Sequence, residues 1–207
     1  MSVTVKICGI TNLEDARAAA EAGADAIGFM FYAPSPRSIS FETVEEIARE
    51  LPPTVAKVGV FVNPEEDLVR TAIARCGLNI LQFHGEESSD FCRQFRVMSL
   101  KAFRIKDTLS LGLLSTYQTD AFLLDSDIAG KQGGTGETFN WDLAVEAKQF
   151  GKPIFLAGGL TPENVADAIR QVRPFGVDVS SGVESSPGKK DHAKVRAFIK
   201  AVKHGNI

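Results

Sequence analysis

The chain has 207 residues, 44% of them apolar and 24% charged, the profile of one soluble globular domain able to bury a large core. Its formal net charge of −3 gives no broad electrostatic reason to bind nucleic acid or an anionic membrane, so an anionic ligand has to be held by local groups. Three cysteines, Cys8, Cys76 and Cys92, form neither an even disulfide set nor a Cys-x-x-Cys metal pattern, and no apolar run approaches the roughly 18 residues of a membrane span. The setting expected from this is cytoplasmic and reducing.

Val3 to Ile7 read as a buried strand running into Cys8-Gly9-Ile10-Thr11, which puts a thiol where strand gives way to turn. Thr11 reads as the cap of the next helix, with Glu14 three positions on completing a capping box. Lys6 precedes the thiol by two positions, so the two side chains share a direction along the strand. A nearby cation and a helix N-terminus both lower a thiol's pKa. The segment alone leaves Cys8 open between a reactive group and the small buried hydrophobe that most free cysteines are.

Further strands read at Ala26 to Phe31, Ala56 to Val62, Ile80 to Phe83, Val97 to Phe103, Ala121 to Leu124, Ile154 to Ala157 and Val177 to Val179, alternating with amphipathic helical stretches. Asn63-Pro64-Glu65-Glu66 and Thr161-Pro162-Glu163-Asn164 each place a capping residue before a Pro whose fixed φ suits the first helical position. Gly23, Gly77 and Gly151 fall where helices should stop. Cys76 and Cys92 lie on helical stretches, and Trp141 begins a helix as a packing residue. Eight units in 207 residues allow about 26 residues each, enough for one strand, one helix and two short connections, with little room for a second domain or a fused partner.

Continuous βα alternation demands parallel strands and right-handed crossovers. The predicted fold is α/β, a compact single-domain (βα)8 TIM barrel over residues 1–207, preferred to a doubly wound open sheet. Such a barrel presents its functional groups at the C-terminal ends of its strands. Those positions carry Cys8, Arg37 beyond strand two, His84 after strand four, and Asp125 directly after Phe122-Leu123-Leu124. Gly133-Gly134-Thr135-Gly136, Gly158-Gly159 and Ser180-Ser181-Gly182 follow strands six, seven and eight. Glycine lets backbone N–H groups approach an anion closely, and hydroxyls add donors. Singly each segment is explained as a turn, and none is a Walker or dinucleotide fingerprint. Together they favour a phosphorylated small-molecule ligand, since the loops after strands seven and eight are the recurrent phosphate site of these barrels.

Lys6-Ile7-Cys8-Gly9-Ile10-Thr11, Gly23-Ala24-Asp25-Ala26-Ile27-Gly28-Phe29, Ser35-Pro36-Arg37-Ser38-Ile39-Ser40, Val58-Gly59-Val60-Phe61-Val62-Asn63, Leu81-Gln82-Phe83-His84-Gly85-Glu86-Glu87 and Asp178-Val179-Ser180-Ser181-Gly182-Val183-Glu184 occur in this order over nearly the whole chain. In these segments the sequence resembles the phosphoribosylanthranilate isomerases of tryptophan biosynthesis. The resemblance implies an Amadori rearrangement of N-(5′-phosphoribosyl)anthranilate to the open-chain carboxyphenylamino-deoxyribulose phosphate, without metal or organic cofactor. It implies Asp125 as the acid that protonates the ring oxygen, with Asp127 as its nearest rival, and Cys8, as thiolate, as the base that removes the C2′ proton. Acid and base of opposite starting protonation then require a raised pKa at Asp125 and a lowered one at Cys8.

Arg37 is expected to take the anthranilate carboxylate in a two-pronged contact, its alternative being a solvated loop arginine. His84 is open between substrate positioning and a helix-entry hydrogen bond, and Asp178 between orienting its neighbours and bonding within the barrel mouth. Three competing readings are a Schiff-base aldolase using Lys6 or Lys101, a histidine-pathway sugar isomerase built on two carboxylates, and a phosphoryl-ligand binding protein without turnover. The 14 phenylalanines are core material that could equally supply an oligomer surface, so monomer and homodimer both stay open.

Overall fold

The computed structural model describes residues 2–126 and 141–205. Eight strands alternate with helices: β1 (Thr4–Cys8), α1 (Leu13–Ala22), β2 (Ala26–Met30), α2 (Phe41–Glu50), β3 (Ala56–Phe61), α3 (Glu66–Cys76), β4 (Ile80–Phe83), α4 (Ser89–Arg93), β5 (Met98–Ile105), α5 (Thr108–Leu111), β6 (Ala121–Ser126), α6 (Trp141–Ala147), β7 (Ile154–Leu156), α7 (Val165–Val172) and β8 (Gly176–Val179). A short hairpin, β9 (Glu184–Ser186) with β10 (Lys189–Lys190), precedes α8 (His192–Gly205). The eight strands are parallel and close in sequence order, β8 pairing with β1 through Thr4↔Gly176, Val5↔Val177, Lys6↔Asp178 and Ile7↔Val179. The predicted barrel is the observed one, and each predicted strand overlaps an observed strand. The hairpin is new.

Closure divides the core into two layers, because side chains alternate across a strand. Outside the sheet, Ile7, Ile27, Phe29, Phe61, Phe83, Phe122 and Leu124 pack against helix residues such as Val44, Ile47, Val69, Ala168 and Phe198. Inside it, strand residues alone form two smaller clusters, Cys8 with Ala26, Val58 and Val60, and Leu100 with Ala102, Ala121, Leu123, Phe155 and Ala157. Interior positions on β1 and β2 are small where polar groups need space. A Cβ on Gly28 would lie 2.8 Å from the Cys8 thiol sulfur and 3.2 Å from Lys6 Cε.

Three helix starts depart from the sequence reading. Asn12, not Thr11, caps α1, accepting from the Asp15 backbone N–H at 2.8 Å, while the Thr11 hydroxyl donates to the Gly188 carbonyl of the hairpin. Asn63 does not cap α3. It takes a left-handed φ of 47°, and its side-chain oxygen accepts from the Glu86 N–H at 2.7 Å, tying the loop after β3 to the loop after β4. In the third case Thr161-Pro162-Glu163 forms a turn, and α7 begins only at Val165. In the first two cases a distant partner, invisible in the local sequence, takes the capping side chain. The helix stops hold: Gly23, Gly77 and Gly151 all adopt positive φ. Trp141 opens α6 and packs against the outer core.

Between the sheet and α2–α4 the phenylalanines stack in sequence, Phe31 on Phe61 at 5.3 Å between ring centroids, Phe61 on Phe83 at 6.1 Å, and Phe83 on Phe95 at 5.9 Å. Phe83 is fully buried at the end of β4. Phe83→Ala should cost about 3–5 kcal/mol through lost burial and a residual cavity, read as a lower urea midpoint with an unchanged slope.

Candidate active site

At the mouth of the barrel, β1 ends in Cys8, which is buried and on the interior face with Lys6 two residues below it. Gly9 and Ile10 donate their backbone N–H groups to the Gly28 carbonyl at 3.0 and 3.1 Å, fixing the turn beyond the thiol. The ammonium of Lys6 bonds Asp178 Oδ1 at 2.9 Å across the β1–β8 seam, with Lys6 1% exposed. Burial opposes the charge on Lys6, but Asp178 and the neighbouring Cys8 outweigh it and raise its pKa. Asp178 therefore bonds within the mouth.

The thiol does not follow expectation. Burial pushes the Cys8 pKa up and outweighs the lowering pull of Lys6, which the carboxylate of Asp178 beside it also opposes. A cation two residues away therefore does not by itself make a thiolate. Burial on the outer side pushes Cys76 and Cys92 up as well, to about 11 and about 12.

Arg37 reaches the site from the loop after β2, crossing over Gly9, where a Cβ would lie 2.6 Å from Arg37 Cδ. Its guanidinium is half-buried and paired. Nε and Nη2 donate to the two oxygens of Glu184 at 2.8 and 2.6 Å, a two-pronged pair. Glu184 also accepts from Lys190 Nζ at 3.0 Å, and Lys190 donates to the Ser180 carbonyl. Burial works against the charge of Glu184, yet the bonds from Arg37 and Lys190 prevail and lower its pKa.

His84 is not used at a helix entry. That task belongs to Ser88, which caps α4 by accepting from the Phe91 N–H at 3.2 Å, while the Glu87 carboxylate ties the loops by accepting from the N–H groups of Asn63 and Gly85 and pairs with Lys101 at 3.0 Å. Instead the His84 ring stands between Gln82, at 3.1 Å from Nδ1, and Asp125, whose Oδ2 lies 3.3 Å from Nε2. Asp125 lies on β6 two residues after Leu123, an interior core residue, and so on the interior face. Gly158 and Gly159 after β7 both have positive φ, 78° and 68°. Ser180, after β8, has a buried hydroxyl with no partner among the described residues, and it points to the same space above Gly9 as Arg37. Ser181 and Gly182 form the following 3₁₀ turn, where a Cβ on Gly182 would run into the Leu160 carbonyl. Asp127, Gly134 and Gly136 lie outside the described residues. Among those described, no group of three His, Cys, Asp or Glu side chains is arranged to hold a metal ion.

Residues 5–201 match the N-(5′-phosphoribosyl)anthranilate (PRA) isomerase family. The chain belongs to this family. It is 56% identical over 199 residues to the N-(5′-phosphoribosyl)anthranilate isomerase of Geotalea uraniireducens, covering 96% of this chain and 98% of that one. It superposes on the crystal structure of phosphoribosyl anthranilate isomerase from Thermotoga maritima with a TM-score of 0.92 and 46% identity, over 98% of this chain and 99% of that one. A second solved isomerase, 45% identical with a TM-score of 0.89 over the same shares, is in complex with reduced 1-(o-carboxyphenylamino)-1-deoxyribulose 5-phosphate. Family membership thus agrees with the resemblance carried by the motifs.

Sequence reasoning gave no role to Glu184, Lys190, Gln82, Gly28 or Glu87. Glu184 closes the last family-like segment and was visible there as a charge, but its partner Arg37 is 147 positions away. Removing one partner of a fully buried pair leaves an uncompensated charge, so Lys101→Met should destabilise by about 3–5 kcal/mol in urea unfolding. Glu184 titrates lower in the folded chain than in the unfolded one. Its stabilisation is therefore complete above the ordinary value of 4.5 and lost as pH falls through the lowered folded value. Urea midpoints measured from pH 7 to pH 3 should fall more steeply below 4.5 for the wild type than for Glu184→Gln.

Proposed function

We propose that the chain catalyses the isomerisation for which its family is named, converting N-(5′-phosphoribosyl)anthranilate to 1-(2-carboxyphenylamino)-1-deoxyribulose 5-phosphate. The observation that carries this reading is the placement of Cys8 and Asp125 at the C-terminal ends of β1 and β6, both on the interior face of one closed barrel. Asp125 protonates the ring oxygen, and the anthranilate nitrogen forms the iminium. Cys8 then takes the C2′ proton. Tautomerisation returns both groups to their starting state: Cys8 delivers a proton to C1′, while Asp125 recovers one from the enol hydroxyl. The reacting form pairs a thiolate with a carboxylic acid. Because burial favours the thiol in the free protein, the iminium's positive charge is the element that makes the thiolate accessible when it is needed.

Arg37 has two prongs engaged by Glu184 and receives the anthranilate carboxylate on its remaining donors, Nη1 foremost. The phosphate is assigned to Gly158, Gly159, Ser180, Ser181 and Gly182, with Gly134 and Gly136 as further candidates from the sequence. The unpartnered Ser180 hydroxyl supports this assignment, since a buried donor without a partner is costly and an anion would satisfy it. A Schiff-base route is disfavoured because Lys6 and Lys101 are each locked in a buried ion pair with a carboxylate.

Loss of substrate fluorescence on adding the protein to freshly generated phosphoribosylanthranilate tests the reading. Cys8→Ala and Asp125→Asn should each lower kcat by roughly 10² to 10⁴-fold, the range for losing a general acid or base. A folded wild type that binds the substrate without consuming it would instead support the binding-protein reading.

A further inference from the structure

Gln82 is the polar side chain that the chemistry proposed above leaves unexplained. It is 1% exposed, points into the barrel from β4 in register with the interior residues Val60 and Leu100, and its Oε1 has no hydrogen-bond partner among the described residues. A buried amide with one end unsatisfied costs stability relative to an apolar side chain of similar shape. Its one polar contact is with the His84 ring, Nε2 to Nδ1 at 3.1 Å. On the far side of that ring, Nε2 lies 3.3 Å from Asp125 Oδ2. This is long for a hydrogen bond, as catalytic contacts often are before substrate binds.

The backbone around His84 is also held from below. Lys101 Nζ donates to the Phe83 and Gly85 carbonyls on either side of it, at 3.4 and 2.6 Å, and is itself anchored by Glu87. Among the described residues, the charged groups close to the ring are Asp125 on β6, in contact with it, and the self-paired Lys101–Glu87 couple behind its backbone.

We infer that Gln82 and His84 are positioning residues for the acid, the amide of Gln82 fixing the imidazole tautomer that donates to Asp125. An amide N–H donated to Nδ1 makes that nitrogen the acceptor and leaves the ring proton on Nε2. His84 then always presents a donor to Oδ2. Asp125 Oδ1 is left as the oxygen that carries the proton to the substrate. This inference rests on the isomerase reading for its catalytic meaning but not for its structural content.

Two measurements separate those parts. In ¹⁵N-histidine-labelled protein, which has three histidines to assign, His84 should show a protonated Nε2 and an unprotonated Nδ1. Gln82→Met should produce a tautomer mixture. Gln82→Glu, whose carboxylate accepts from Nδ1, should move the proton to that nitrogen. A wild-type ring protonated on Nδ1, or one indifferent to both substitutions, overturns the inference even if the isomerase is fully active.

Kinetically, His84→Phe should lower kcat by about tenfold to a hundredfold, the scale of a misplaced catalytic group, with KM within about twofold of wild type. His84→Gln keeps an N–H near the position of Nε2 and should recover most of that loss, which a merely structural role would not predict. Equal losses in His84→Phe and His84→Gln, or a loss confined to KM, also overturn it. If the wild type shows no turnover at all, the isomerase reading fails, and the tautomer measurement still decides what Gln82 does.

Discussion

The Lys6–Asp178 ion pair spans the seam where the first strand meets the last, joining residues 172 positions apart that are also register partners in the closing sheet. The barrel has no free edge, as an open doubly wound sheet would have, because this seam is closed. Both charges are inside the barrel, so neither can be removed without leaving the other unpaired in an apolar enclosure. Cys8 sits directly above, on the same face of β1. Its electrostatic setting is therefore decided by a pair whose first task is to close the fold. One lysine serves two demands, and the carboxylate that holds it in place also opposes its effect on the thiol.

The same economy recurs around the mouth. Glu87 and Lys101 join the loops after β3 and β4 to β5, and in doing so hold the peptide groups on either side of His84. Glu184 and Lys190, on the hairpin after β8, fix Arg37 from the loop after β2. In each case a buried, fully bonded charge cluster positions a loop residue whose own backbone has no regular secondary structure. Loops that carry function need this support because few ladder hydrogen bonds restrain them. The apolar core behind them is continuous and ordinary, a stack of phenylalanines against helices, and leaves the specificity to the polar rim.

Comparing sequence and structure residue by residue shows where local information stops. The eight strands were legible because parallel buried strands are short apolar runs between turn signals, and the helix stops because a left-handed C-cap favours glycine. Cys8, Asp125, Arg37 and His84 were legible as candidates because barrel geometry confines function to strand ends. Their states were not. A neighbouring lysine points to a lowered thiol pKa, but burial outweighs it, and the lysine's partner lies at the other end of the chain. Arg37, Thr11 and Asn63 likewise have partners far along the chain that local sequence does not reveal.

The alternation of elements, hence a parallel barrel with a known functional end, is legible in the chain, and so, through ordered motifs, is the family. Local spacing and propensity suffice for that, since they act within a few residues. Which polar groups meet is a matter of tertiary structure: Lys6 pairs with Asp178, Arg37 and Lys190 with Glu184, and Lys101 with Glu87, while the His84 ring lies between Gln82 and Asp125. Most of these partners are brought together by barrel closure or by loops crossing its mouth. Electrostatics in a low-dielectric interior depends on distances of a few ångströms, which no local pattern in the chain encodes.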